Sequence, residues 1–206
     1  MYLLEFVFRW AHVLFGITWI GLLYYFNFVQ TEYFKEAEAS AKADAVKKLA
    51  PRALWWFRWG AMFTFLTGLY LLHAIGATGS FLGMSAIWVG ALAGIFMFLN
   101  VWLIIWPNQK IVIGLKEGDG AAAGAKAGLA SRTNTLFSGP MLFGMLASKH
   151  LPLDPSTLGF GLSVALILVL EANALFGKTG PLTTVKGVIH CSIALAVVIW
   201  ALLSYL

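Results

Sequence analysis

Of the chain's 206 residues, 60% are hydrophobic and 11% are charged, against roughly 45–50% and about 25% in a soluble domain. That balance excludes a soluble globular enzyme and leaves little sequence outside membrane spans. The formal net charge of +5 falls mostly in connecting segments, with no basic run interleaved with exposed aromatics, so nucleic-acid binding is excluded as a reading.

A helix crosses the hydrocarbon core with about 20 mainly apolar residues. Six runs meet that requirement, near 3–28, 54–75, 83–106, 134–149, 157–177 and 183–205. Residues 1–206 are therefore expected to form a single integral membrane domain, an all-α, polytopic transmembrane helix bundle in contact with the lipid bilayer. The N-terminus lacks the basic start and small-residue cleavage site of a signal peptide, so the first run is expected to be retained.

The first run contains HVLFGITWIGLLYYFNFVQ. At about 100° per residue, Glu5, Arg9, Gly16, Trp19, Asn27 and Gln30 lie within roughly 60° of His12, whereas Leu14, Leu22, Tyr25 and Val29 point elsewhere. A stripe of that kind should face protein, because ionisable groups are costly against lipid. Gly16 leaves room beside His12 for a flat cofactor or another helix. Glu5 and Arg9 have the spacing of an ion pair. Two readings of His12 stay open: a packing residue bonded to a carbonyl, or a ligand or proton carrier.

Beyond it, TEYFKEAEASAKADAVKKLAPRALWWFRW predicts an interfacial helix that Pro51 stops before the second span. His73 closes that span on a face with Trp59, Met62, Leu66 and Tyr70. In the third span Asn100 precedes VWLIIW, and KEGDGAAAGAKAGLA after it predicts a mobile connection or a weak helix. The fourth run is short and holds Pro140, which predicts a kink or a buried partial span; His150 ends it. Glu171 in the fifth run and His190 in the sixth lie at comparable depth. They suit either a proton relay or a hydrogen bond that simply satisfies Glu171.

Lysine and arginine gather after the first, third and fifth runs, while HAIGATGSFLG and KHLPLDPSTLG hold little positive charge. The positive-inside rule then puts both termini outside, and the expected location is a bacterial cytoplasmic (inner) membrane. On that orientation Asn27, Gln30, Arg58, Asn100, Asn108, Gln109, Arg132, Asn134, Glu171, Asn173 and Lys186 form a polar inner mouth. Interfacial chemistry accounts for Arg58, Asn108, Gln109 and Lys186, and accounts less well for Asn27 and Asn100. His12, His73 and His150 lie toward the outer side. Two facing imidazoles, His12 with His73 or His150, would ligate the iron of a b-type haem, which needs no CxxCH attachment. One cysteine, Cys191, rules out that attachment, an internal disulfide and a cysteine-based zinc site.

HVLFGITWIGLLYYFNFVQ, PRALWWFRWGAMFTFLTG, FLNVWLIIWPNQK and SRTNTLFSGPMLFGMLASKH together resemble the membrane domain of the cytochrome-linked, PuuD-type urate oxidase (urate hydroxylase) family, from about residue 9 to 150. The resemblance implies a membrane oxidoreductase that converts urate to 5-hydroxyisourate with water as oxygen source and passes electrons to a C-terminal c-type cytochrome. The sequence departs from that pattern, ending at Leu206 without the cytochrome domain, so a separate c-type cytochrome or another electron-transfer subunit is the expected acceptor. On this reading Asn27, Asn100, Trp106, Arg132 and Asn134 hold urate or a related purine, Glu171 and His190 handle protons, and Arg9, Gly16, His12, His73 and His150 serve the haem. The alternative is a non-catalytic haem-binding or structural subunit of a larger membrane electron-transfer complex. A small-solute transporter fits worse, since no pair of Gly/Pro-interrupted spans recurs in two halves.

Overall fold

The structure is a computed structural model that describes residues 2–76 and 82–206; residues 77–81 of the HAIGATGSFLG connection lie outside the described residues. Six long helices follow one another: α1 Tyr2–Glu36, α2 39–74, α3 Ser85–Val112, α4 Gly120–His150, α5 Thr157–Phe176 and α6 Val185–Tyr205. Among the described residues there is no strand. Each predicted span falls on one of these helices. By length and composition α1, α3, α5 and α6 are apolar enough to cross a membrane. The other two are more polar: α2 carries Arg52 and Arg58, and α4 carries Lys126 and Arg132 among small and hydroxylated residues.

Two expectations about connections are corrected. The segment after the first span is the end of α1 and the start of α2, broken only at Ala37 and Glu38, and the helix runs on through Pro51. Proline lacks an N–H and crowds the carbonyl four residues earlier. Here a widened, π-type turn at Ala45–Leu49 precedes it, with Ala50 N–H donating to the Ala45 carbonyl. The same device at Asn100–Ile105 precedes Pro107, with Trp106 N–H donating to Val101. A third widened turn, Tyr25–Gln30, closes with Thr31 N–H on Phe26. The second correction concerns KEGDGAAAGAKAGLA, which from Gly120 is the first turns of α4. Asp119 Oδ1 accepts from the N–H groups of Ala121 and Ala122 at 2.9 and 3.1 Å, an N-cap that starts an alanine-rich helix.

The chain divides into two compact units, one of Met1–Thr67 with Phe98–Ser131, the other of Gly68–Met97 with Arg132–Leu206. In the first unit α1 lies against α2 at Gly60, where a Cβ would sit 3.2 Å from Trp19 N and 3.4 Å from the Phe15 carbonyl. Phe65 stacks on Phe98 of α3, centroids 4.0 Å apart. In the second unit Gly90 of α3 faces Gly144 of α4; a Cβ on Gly90 would lie 3.0 Å from Gly144 Cα. Small residues bring helices together this closely where burial of apolar surface cannot drive them. Asn134 Nδ2 donates to the Met97 carbonyl at 2.9 Å and ties α4 to α3.

Candidate functional site

Two of the three widened turns hold the amides that stood out in the sequence, Asn27 in Tyr25–Gln30 and Asn100 in Asn100–Ile105. Turns of this type are uncommon and concentrate at functional sites. Asn27 is buried, and its Nδ2 donates to the Leu23 carbonyl at 2.9 Å and to Ser131 Oγ at 2.8 Å. Both amide hydrogens are thereby engaged, and Oδ1 remains as an acceptor. Asn100 is buried as well.

Aromatic contacts bring four helices of the first unit to this level. Phe26 of α1 meets Phe57 of α2 edge-on, centroids 5.6 Å apart, and Trp59 of α2 meets Trp102 of α3 at 5.6 Å. The Arg58 guanidinium sits 3.9 Å from the centroid of the Trp106 ring, and Ser131 of α4 accepts from Asn27. Ion pairs among the described residues include Glu5–Arg9, Glu32–Lys35 and Asp44–Lys48; Arg58 joins none of these. A half-buried guanidinium resting on an indole face keeps its charge and its N–H edge available to an anion.

Three buried polar atoms of this unit make no hydrogen bond with protein: Trp19 Nε1, Trp102 Nε1 and Gln30 Oε1. Trp19 is only 2% exposed. Buried donors and acceptors are nearly always paired, so each such atom calls for a partner. Two of the three are donors and one is an acceptor.

His12 lies on the same face of α1, toward its other end. Its Nδ1 is 2.9 Å from the Thr64 carbonyl and 3.0 Å from Thr67 Oγ1. A carbonyl only accepts, so the proton is on Nδ1. Thr67 donates its own hydroxyl to Phe63 O at 2.6 Å and can accept from the same N–H. The bond fixes the ring and leaves Nε2 with a lone pair, the state of a metal-ligating or proton-accepting imidazole. Gly16 faces Thr64, whose Cγ2 would be 3.9 Å from an added Cβ. Arg9 pairs with Glu5, Nη2 to Oε1 2.5 Å. Among the described residues no three His, Cys, Asp or Glu side chains form a group that could hold a metal ion.

The remaining sequence candidates belong to the second unit. Arg132 and Glu171 are the two charged residues buried there, 6% and 7% exposed. Arg132 opens a fully buried run through Ser138 that includes Asn134. His73, His150 and His190 are exposed. The first unit thus gathers His12, Arg9, Gly16, Asn27, Asn100 and Trp106. The second holds His73, His150, Arg132, Asn134, Glu171 and His190.

Sequence reasoning set Arg58 aside as interfacial and passed over Trp102. A boundary arginine among tryptophans reads as membrane belt, and only the widened turn before Trp106 sets the register that stacks the pair. The available signal was the tight spacing of Arg58 with Trp59 on a span otherwise apolar from Gly60 onward.

The family described as urate oxidase N-terminal matches residues 73–201, more than half of the chain. The matched stretch begins after the first two of the four resembling strings, takes in the other two and reaches well into the last third. No curated protein and no solved structure matches the chain.

Proposed function

The chain belongs to the urate oxidase N-terminal family, and from that membership we propose that it is a membrane redox protein acting on urate or a closely related purine. The observation that carries the substrate is Arg58, a cation stacked on Trp106 with no carboxylate partner among the described residues. Urate is flat, anionic at neutral pH and rimmed by carbonyl and N–H groups. An indole gives it a stacking face, a guanidinium meets its charge, and Asn27 Oδ1, Gln30 Oε1 and the indole N–H of Trp102 complement its edge.

The reaction adds water to urate and releases two protons and two electrons as 5-hydroxyisourate forms. Glu171, buried in the second unit, and the exposed His190 are the candidates for handling protons in this reading. His12 would hold the iron of a b-type haem through Nε2, since its Nδ1 proton is engaged by the Thr64 carbonyl. When bound, such a haem would supply one-electron acceptance. A c-type cytochrome or another electron-transfer partner would be the acceptor, in a bacterial inner membrane.

Equilibrium binding of labelled urate to the detergent-purified chain tests the substrate. Wild type is expected to bind, and Arg58→Ala to bind at least about tenfold more weakly, the weight of one lost charge-assisted contact. Failure of wild type to bind any purine ends the reading. A reduced-minus-oxidised absorption spectrum tests the haem: a b-type band in wild type is expected, absent in His12→Ala.

A further inference from the structure

The second unit carries a groove of about 540 Å³ that the proposed redox function does not use. One wall is a face of α5, with Leu166, Leu170 and Asn173 at helical spacing. The other is a face of α6, with Cys191, Ala194 and Val198. Eight residues of each helix make it roughly 10 Å long. Its end is the turn between the two helices, Lys178 to Leu182. That turn is braced: Leu182 N–H donates to the Thr179 carbonyl at 2.9 Å, Thr183 Oγ1 to the Gly180 carbonyl at 2.8 Å, and Asn173 Nδ2 to the Lys178 carbonyl at 3.2 Å.

Apart from this end the lining is mostly aliphatic, with Thr133 of α4 and Cys191 the exceptions, and Lys178 is its one charged residue. Lys178 is exposed and joins no ion pair among the described residues. α5 and α6 are both long and apolar enough to cross a membrane, so the turn joining them lies at headgroup depth and the aliphatic walls beside it lie at acyl depth. A slot apolar along its length and cationic at the headgroup end matches an amphiphile with an anionic head. We propose that this groove holds one acyl chain of an anionic phospholipid, its phosphate placed at Lys178 and Thr179.

Cys191, the chain's only cysteine, lines the groove and reports occupancy. The full chain is placed in nanodiscs of phosphatidylcholine, with and without phosphatidylglycerol, and alkylation of Cys191 by a membrane-permeant maleimide is timed. Phosphatidylglycerol is expected to slow alkylation about fivefold, the weight of one cation meeting an anionic headgroup. Lys178→Glu should remove that difference. Ala194→Trp, at an exposed position, should fill the slot and make alkylation slow and indifferent to lipid. Equal rates in both lipids with wild type overturn the proposal, as does a Lys178→Glu chain that keeps the phosphatidylglycerol effect. Protection by an isoprenoid quinone but not by phosphatidylglycerol overturns it too, and assigns the groove to a neutral redox amphiphile.

Discussion

At the scale of single residues, the helix packing depends on missing side chains as much as on present ones. A Cβ on Gly144 would press on the Ala86 carbonyl and on the Gly90 backbone, none of which can retreat without moving α3. Gly144→Ala is therefore expected to destabilise the fold by about 1–3 kcal/mol, the usual penalty of overpacking. Gly161, on α5, has nothing within 4 Å of the same added atom. Gly161→Ala should be neutral or stabilise by up to about 1 kcal/mol, since alanine is the better helix former. Melting temperatures of the two variants in one detergent make the comparison, and equal shifts would contradict the close approach of α3 and α4. His12 shows the converse case, in which one bond decides a chemical state. Because Thr64 offers a carbonyl, His12→Gln can keep the donor but cannot restore the Nε2 lone pair. That variant should fold as wild type and lack any b-type absorption band, which separates a ligand from a packing residue.

At the scale of elements, hydropathy located the six helices because a bilayer demands long apolar runs, and it misplaced their ends because nothing in lipid preference stops a charged helix in water. α1 continues through Glu32 and Lys35, which pair across one turn at 2.7 Å. Pro51 read as a stop for the same reason. Hydropathy carries no trace of the widened turns that let helices pass Pro51 and Pro107. Asn27 and Asn100 were legible as amides within apolar stretches. Arg58 and Trp102 were not, since their partners, Trp106 for Arg58 and Trp59 for Trp102, are met across helices beside the widened turn at Asn100–Ile105. Deleting Leu103, which is 69% exposed, should convert that turn to a regular helix and remove the local displacement that the widened turn gives Trp102. Helix content by circular dichroism should be unchanged, while urate affinity falls to that of Arg58→Ala. Retained affinity in the deletion variant would separate the binding reading from the widened turn.

At the scale of the whole chain, charge distribution sets what the helices alone leave open, the direction in which they thread the membrane. α1 is 35 residues, roughly 50 Å, against a hydrocarbon core of about 30 Å. Its charged end, with Lys35, and the start of α2, with Lys42, Lys47 and Lys48, therefore extend into water and headgroups on one side. Lys110, Lys116 and Lys126 flank the next connection on that side, since one helix pair separates them. Translocating such loops is disfavoured, and lysine and arginine in short loops are retained in the cytoplasm. The expected arrangement places Ser40 and Glu117 inside and Asp154 outside. In a Cys191→Ser background, single cysteines at these three positions are labelled with a membrane-impermeant maleimide on intact cells. Asp154→Cys should react at once, and Ser40→Cys and Glu117→Cys only after permeabilisation. Because Arg58 lies less than two turns beyond Arg52, near the basic end of α2, the same labelling also fixes the side from which an anion reaches Trp106. The reverse pattern would turn the molecule over and put purine entry outside, where uptake into the cell would not have to precede oxidation.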